Sequence, residues 1–244
     1  STTTSNDDDT KCHNNLMIPS AALFAGSAIT TAGGYTLDPT TITILANAPL
    51  AAFGLVQVSG LAPIKYIINN KDTGKLSPLP FVSLYTNCGN WTLYGYLQSD
   101  QTILMANAVG TVVGLVYTGL FYSNTKMNMM PYFAGSTAIL GAMLSSPIWA
   151  GIEMSPQILG TFGVASAIFL MSSPLVVIKT VIKDKSTESM PFPISLAMFL
   201  NGSAWASYGW IVTADPYVWV PNMIGASAGA VQLSFFGLYG FPKK

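Results

Sequence analysis

Uncharged apolar runs separated by short polar breaks dominate this chain. Seven runs, at about 43–66, 79–99, 101–122, 131–151, 156–178, 191–213 and 216–240, are separated by "NNKDTGK", Asp100, "SNTKMN", Glu153, "KDKSTE" and Asp215. Each is close to the roughly 20 residues with which an α-helix crosses a hydrocarbon core of ~30 Å. The pattern predicts an all-α, polytopic membrane protein of seven transmembrane helices. The start of the chain fits this pattern less well. "LMIPSAALFAGSAITTAGG" is uncharged but short and broken by Pro19, and it reads as an interfacial helix or packed extension rather than an eighth span. A start at Ser1 rather than Met is expected of a chain that has lost an upstream targeting segment.

The apolar pattern is written twice. "LPFVSLYTNCGNWTLYG" begins at Leu79 and "MPFPISLAMFLNGSAWASYG" at Met190. Asn87, Trp91, Tyr94 and Gly95 recur 114 positions on as Asn201, Trp205, Tyr208 and Gly209. Further along, "NAVG" from Asn107 matches "NMIG" from Asn222 at an offset of 115, with Asp100 and Asp215 in between. The division that follows is a non-cytoplasmic N-terminal extension (1–42), a first three-helix repeat (43–122), a linker helix with its loops (123–155), and a second repeat with a short C-terminus (156–244). Three crossings leave a chain on the wrong side, and a fourth restores the orientation of the second copy. The copies are therefore parallel, related by a pseudo-two-fold axis along the membrane normal, in a 3+1+3 architecture. Repeats of this kind place a substrate site at their interface near the midplane.

Composition sharpens the picture. Half of the 244 residues are hydrophobic and 8% are charged, far below the quarter usual in soluble domains. Lys65, Lys71, Lys75, Lys126, Lys179, Lys183, Lys185, Lys243 and Lys244 all fall on one side of the expected bundle, whereas Asp38, Asp100, Glu153 and Asp215 fall on the other. The positive-inside rule puts the lysine side and the C-terminus in the cytoplasm, or its stromal or matrix equivalent, and the N-terminus outside. Net charge is zero and arginine is absent, which leaves nothing to draw the chain to nucleic acid. Cys12 and Cys88 read as unpaired thiols, and the lone His13 sits in the polar tail, so neither metal nor cofactor is expected. No nucleophile–base pair or phosphate loop points to an enzyme.

Candidate chemistry lies in the paired polar residues. Asn107 and Asn222 stand about seven residues into their spans, where hydrocarbon offers an amide no partner. One such residue reads as interhelical glue. Two at matched positions point at one central cavity, where amides suit neutral polyol hydroxyls. Trp91 and Trp205 lie too deep for an interfacial belt, unlike Trp149 and Trp219, and offer flat faces to a sugar ring. Asn87 and Asn201 read as packing or hydrogen-bonding residues. Pro63, Pro80, Pro174 and Pro191 stand near the lysine-side ends of their spans, where each removes a backbone donor. Tyr94 and Tyr208 read equally as an aromatic belt. Every carboxylate lies in a tail, a loop or at a span end, which favours uncoupled over proton-coupled transport.

Over residues 43–241 the sequence resembles the SWEET sugar transporters, on "LPFVSLYTNCGNWTLYG", "SSPLVVIKTVIKDKSTESMPF", "FLNGSAWASYG" and "DPYVWVPNMIG". The resemblance implies a uniporter working by alternating access, with Trp91, Asn107, Trp205 and Asn222 binding the sugar. It implies a hinge and cytoplasmic gate at Pro63, Pro80, Pro174 and Pro191, and an outer gate at Tyr94, Tyr208 and Asp215. Aligned without gaps, Gly60 rather than Pro63 faces Pro174, a three-residue departure. The alternative is an accessory subunit of a larger organellar or photosynthetic membrane complex that keeps the fold without transporting. The expected partners are sugar, the lipid bilayer, and either further copies of the chain or a membrane complex.

Overall fold

The structure, a computed structural model, describes residues 28–59, 61–170 and 172–242, without the side chains of 59, 169, 170 and 172–176. Cys12, His13, the acidic tail, most of the apolar segment around Pro19, Lys243 and Lys244 lie outside the described residues.

Seven helical rods follow a small antiparallel hairpin. In the hairpin β1 (Ile29–Thr30) pairs with β2 (Thr36–Leu37). Span one comprises α1 (Pro39–Ser59) and α2 (Leu61–Asn70), span two is α3 (Leu79–Leu97), and span three is α4 (Gln101–Ser123). Span four is α5 (Met130–Leu144) followed by the short α6 (Ser146–Trp149). Span five comprises α7 (Ser155–Leu170) and α8 (Ser172–Asp184). Span six is α9 (Phe192–Ser207) ending in a π-helical turn, Tyr208–Val212, and span seven is α10 (Pro216–Tyr239). Span one starts before the expected 43 because Asp38 accepts from the Thr41 N–H (3.0 Å) and hydroxyl (2.6 Å), a cap that the apolar pattern does not weigh. Span five runs past 178 because the helix carries Lys179 and Lys183 onward to Asp184.

The packing has the symmetry that a parallel duplication requires. Span three lies against spans one and two, and span seven against spans five and six. Between copies the partners are exchanged: span one packs on span six, and span five on span two. A glycine brings the last two helices of each copy together. A Cβ on Gly114 would lie 2.6 Å from the Tyr85 nitrogen, and one on Gly229 would lie 2.8 Å from the Phe199 nitrogen. Span four belongs to the first copy by contact. It rests on span two, where Tyr85 and Ser136 share a hydrogen bond and Leu140 covers Gly89.

The loops repeat as well. Lys71 and Lys185 take left-handed conformations (φ 49° and 50°) after the first helix of each copy. Thr73 then bonds Thr125 at 3.1 Å, and Thr187 bonds the Gly240 carbonyl at 2.7 Å. Counted back from these matched lysines, Pro63 stands nearly one turn closer to its helix end than Pro174 does, so the three-residue departure lies in the helix. The change of repeat offset from 114 to 115 has a physical location too. α3 ends as regular helix beyond Tyr94, whereas the same stretch of span six is the π-turn, which takes up one extra residue.

Candidate functional site: a crossed gate above paired tryptophans

Two Tyr-Gly pairs form one end of the bundle. Asp100 caps α4 by accepting from the Ile103 N–H at 2.9 Å, and Asp215 caps α10 by accepting from the Tyr217 N–H at 2.9 Å. The turn before each cap is made by a left-handed residue, Ser99 (φ 55°) or Ala214 (φ 52°). The glycine after each tyrosine lets the next helix start against it. A Cβ on Gly95 would lie 2.6 Å from the Leu104 nitrogen, and one on Gly209 would lie 2.8 Å from the Trp219 nitrogen.

The tyrosines then reach across the seam. Tyr94 of the first copy donates to Asp215 Oδ2 of the second at 2.6 Å. Tyr208 of the second donates to both Asp100 oxygens of the first at 2.9 Å. Both rings are buried, at 1% and 5% exposure, so this end of the molecule is shut. Loss of water around Asp100 and Asp215 pushes both carboxyls above the usual carboxylate range. Among the sequence candidates Tyr94, Tyr208 and Asp215 meet here. The resemblance does not include Asp100 with these three, although its match to Asp215 in the repeat points to it.

Beneath the gate lies an apolar floor. Trp91 meets Tyr94 edge-on at 5.1 Å, and Trp205 meets Tyr208 edge-on at 6.2 Å. Gly163 of span five leaves the Trp91 indole the space that a side chain would fill. Asn107 donates to the Ile103 carbonyl and Asn222 to the Val218 carbonyl, each at 2.8 Å in its own helix. This leaves both amide oxygens to accept from a ligand hydroxyl. Asn90, fully buried, donates to the Leu159 carbonyl of span five at 3.0 Å and ties span two to it.

A cavity of about 500 Å³ lies between spans two, four and five. It runs from Leu79 and Pro131, in the first turns of their helices, to Asn87, whose side-chain oxygen accepts from Ser166 at 2.9 Å. Ser83, Thr86 and Ser136 add further polar atoms to a largely apolar wall. None of Trp91, Asn107, Trp205 and Asn222 lines it. Asn87 is one helical turn, ~6 Å, from Trp91 on the same face, so the cavity comes within a turn of the tryptophan floor. Asn87 thus acts as the hydrogen-bonding residue that the sequence offers beside a packing role, whereas nothing in the sequence singles out Ser166. Asn201, the counterpart of Asn87, has a buried side-chain oxygen without a hydrogen-bond partner.

The prolines differ in position. Pro63 lies within α2 and Pro174 within α8, whose side chain there is not described. Pro80 is at the second position of α3, and Pro191 is the N-cap of α9 with an extended ψ of 120°. By helical position Pro191 pairs with Pro78, and Pro80 with Pro193. Among the described residues no cluster of three or more His, Cys, Asp and Glu could hold a metal.

A family model described as "Sugar efflux transporter for intercellular exchange" matches residues 50–128 and 157–244. "Bidirectional sugar transporter SWEET2" of Arabidopsis thaliana is 33% identical over 196 residues, covering 77% of this chain and 82% of that protein. "Sugar transporter SWEET1" of Drosophila pseudoobscura pseudoobscura is 30% identical over 187 residues, covering 75% and 82%. The solved structure of a eukaryotic SWEET transporter superposes with a TM-score of 0.70 at 24% identity, over 82% of this chain and 97% of that one. That likeness establishes the fold, a seven-helix membrane bundle of two repeats.

Proposed function

The chain belongs to the SWEET family of sugar transporters, and on that premise we propose that it carries mono- or disaccharides across a membrane by alternating access, down their gradient. The observation that carries this reading is the crossed Tyr94–Asp215 and Tyr208–Asp100 pairing at one end, with a 500 Å³ cavity approaching from the opposite helix ends. One end is tied shut across the two copies while the other admits a molecule of sugar size. This is one state of a rocking carrier.

Sugar enters between spans two and five, where Asn87 and Ser166 offer amide and hydroxyl groups. It reaches Trp91 and Trp205, whose faces cover its C–H surface while Asn107 and Asn222 accept its hydroxyl protons. The copies then rock, the Tyr–Asp ties part, and the lysine-bearing ends close. The carboxylates sit at the gate and not beside the sugar, which favours movement without proton coupling. The lysine-bearing ends face the cytoplasm or its organellar equivalent, and the gate faces outside or lumen. The relatives' names, all of sugar transporters, lend no support to the accessory-subunit alternative.

The test is counterflow of glucose and sucrose in proteoliposomes, with Asn107→Ala and Asn222→Ala beside wild type. Wild type is expected to exchange sugar with and without a protonophore. Each variant is expected to lose about 1–3 kcal/mol of binding, a rise of roughly five- to 150-fold in half-saturation. Absence of counterflow for every sugar would overturn the reading, and flux abolished by the protonophore would overturn its uncoupled mechanism.

A further inference from the structure

The hairpin before span one lies outside the residues matched by the family model, which begin at 50. It lies against the π-turn of span six. The chain there turns away at Ala214: Thr213 N–H closes the π-turn on the Tyr208 carbonyl (3.3 Å), and Asp215 N–H reaches back six residues to the Gly209 carbonyl (2.8 Å). Two later carbonyls of the turn, those of Ile211 and Val212, are taken by the hairpin. Ile211 O accepts from the Thr31 hydroxyl at 2.5 Å, and Val212 O accepts from the Ala32 N–H at 3.1 Å. Gly33 fits flush against the turn, since a Cβ there would lie 2.6 Å from the Trp210 and Ile211 carbonyls. Trp210 Nε1 donates to the Tyr35 hydroxyl at 2.8 Å. The hairpin is itself closed by Thr31 N–H donating to the Tyr35 carbonyl at 2.9 Å.

This contact crosses the seam between the copies. The hairpin continues through Asp38 into span one, part of the first copy, and its hydrogen bonds go to span six, part of the second. The two seams are otherwise unequal. Span two is tied to span five by Asn90, but the residue matching Asn90 in span six is Ala204, which has no polar group to give span one. The hairpin supplies the missing tie from outside, within four residues of Tyr208.

We infer that Thr31, Ala32 and Tyr35 form a strap that positions the Tyr208 half of the gate and sets how often this end opens. The strap bonds exist while spans one and six are together at this end and are lost as they part. Removing one neutral hydrogen bond therefore raises the open fraction about five- to tenfold. This inference rests on the transport reading only for its consequence in flux, because gate opening can be measured without sugar.

The experiment uses the full chain in lipid nanodiscs and follows amide hydrogen exchange at Tyr94–Asp100, the half of the gate that the hairpin does not touch. Thr31→Val and Trp210→Phe each delete one strap bond, and Thr31→Ser keeps the hydroxyl. Exchange at Tyr94–Asp100 is expected to quicken about five- to tenfold in the first two and to stay at the wild-type rate in the third. In vesicles the half-saturating sugar concentration on the gate side should fall by a similar factor relative to the other side. Equal exchange at Tyr94–Asp100 in all four proteins would overturn the strap. Should Thr31→Val fail to fold, Tyr35→Phe, which removes the hydroxyl that accepts from Trp210 Nε1, gives a second test: exchange at Tyr94–Asp100 should quicken about five- to tenfold, and unchanged exchange would overturn the inference. Exchange effects as expected in a protein that moves no sugar would instead overturn the transport reading and leave the strap standing.

Discussion

Asp100 and Asp215 each hold two structures at once: the first turn of the following helix and a tyrosine of the other copy. Substitution at the tyrosines separates the two. Tyr94→Phe leaves the cap of α10 intact and deletes one hydrogen bond to a carboxylate, a contribution of about 1.5–3 kcal/mol. The expected result is a more than tenfold fall in half-saturation measured from the gate side, with a loss of thermal stability no larger than that one bond accounts for. The carboxyls also give the gate a pH dependence of fixed sign. Burial raises both above the usual range in the closed state, so closed protein binds protons more tightly than open protein, where water reaches the acids. Acidifying the gate side towards the ordinary carboxylate range therefore favours closure, and alkaline pH favours opening. Sugar uptake from that side is expected to fall with acidification, and Asp100→Asn with Asp215→Asn should flatten the profile.

Among the helices, span six departs most from its partner and the prolines divide into two kinds. Pro191 precedes the first turn of α9, where no i−4 hydrogen bond exists, so Pro191→Ala adds no internal bond to stiffen the helix. Its turnover is expected to stay within about twofold of wild type. Pro49 lies inside α1 and cannot donate to the Leu45 carbonyl; Pro49→Ala supplies that donor and should lower turnover more than affinity. Counterflow rates beside equilibrium sugar binding would check both. The seven rods were legible in the sequence because apolar length and lysine placement are local properties of the chain. The repeat was legible from Asn, Trp and Tyr-Gly spacing. The crossing of Tyr208 to Asp100 was not, because it depends on which copy each helix end faces. The π-turn left only a shift of one in the repeat offset. The hairpin left no pattern at all, with two residues to each strand.

At the scale of the molecule, the parallel copies bring all the lysine loops to one end and both gate acids to the other. Cysteines at Lys126 and Lys185 are expected to react with an impermeant thiol reagent from one side of a sealed vesicle, and a cysteine at Gln101 from the opposite side. Reaction of Lys126→Cys and Lys185→Cys from different sides would contradict the arrangement. The crossed pairing has a further effect on what passes through the protein when nothing is being carried. Each Tyr–Asp bond spans the same boundary. A thermal fluctuation that breaks one leaves the other latched, and the chance of finding both broken is the product of two small numbers. Ions and water leak through a carrier only when both of its ends stand open together. A doubled latch makes that coincidence rarer than a single bond of the same strength could, and the membrane stays electrically tight around a protein built to let large neutral molecules through.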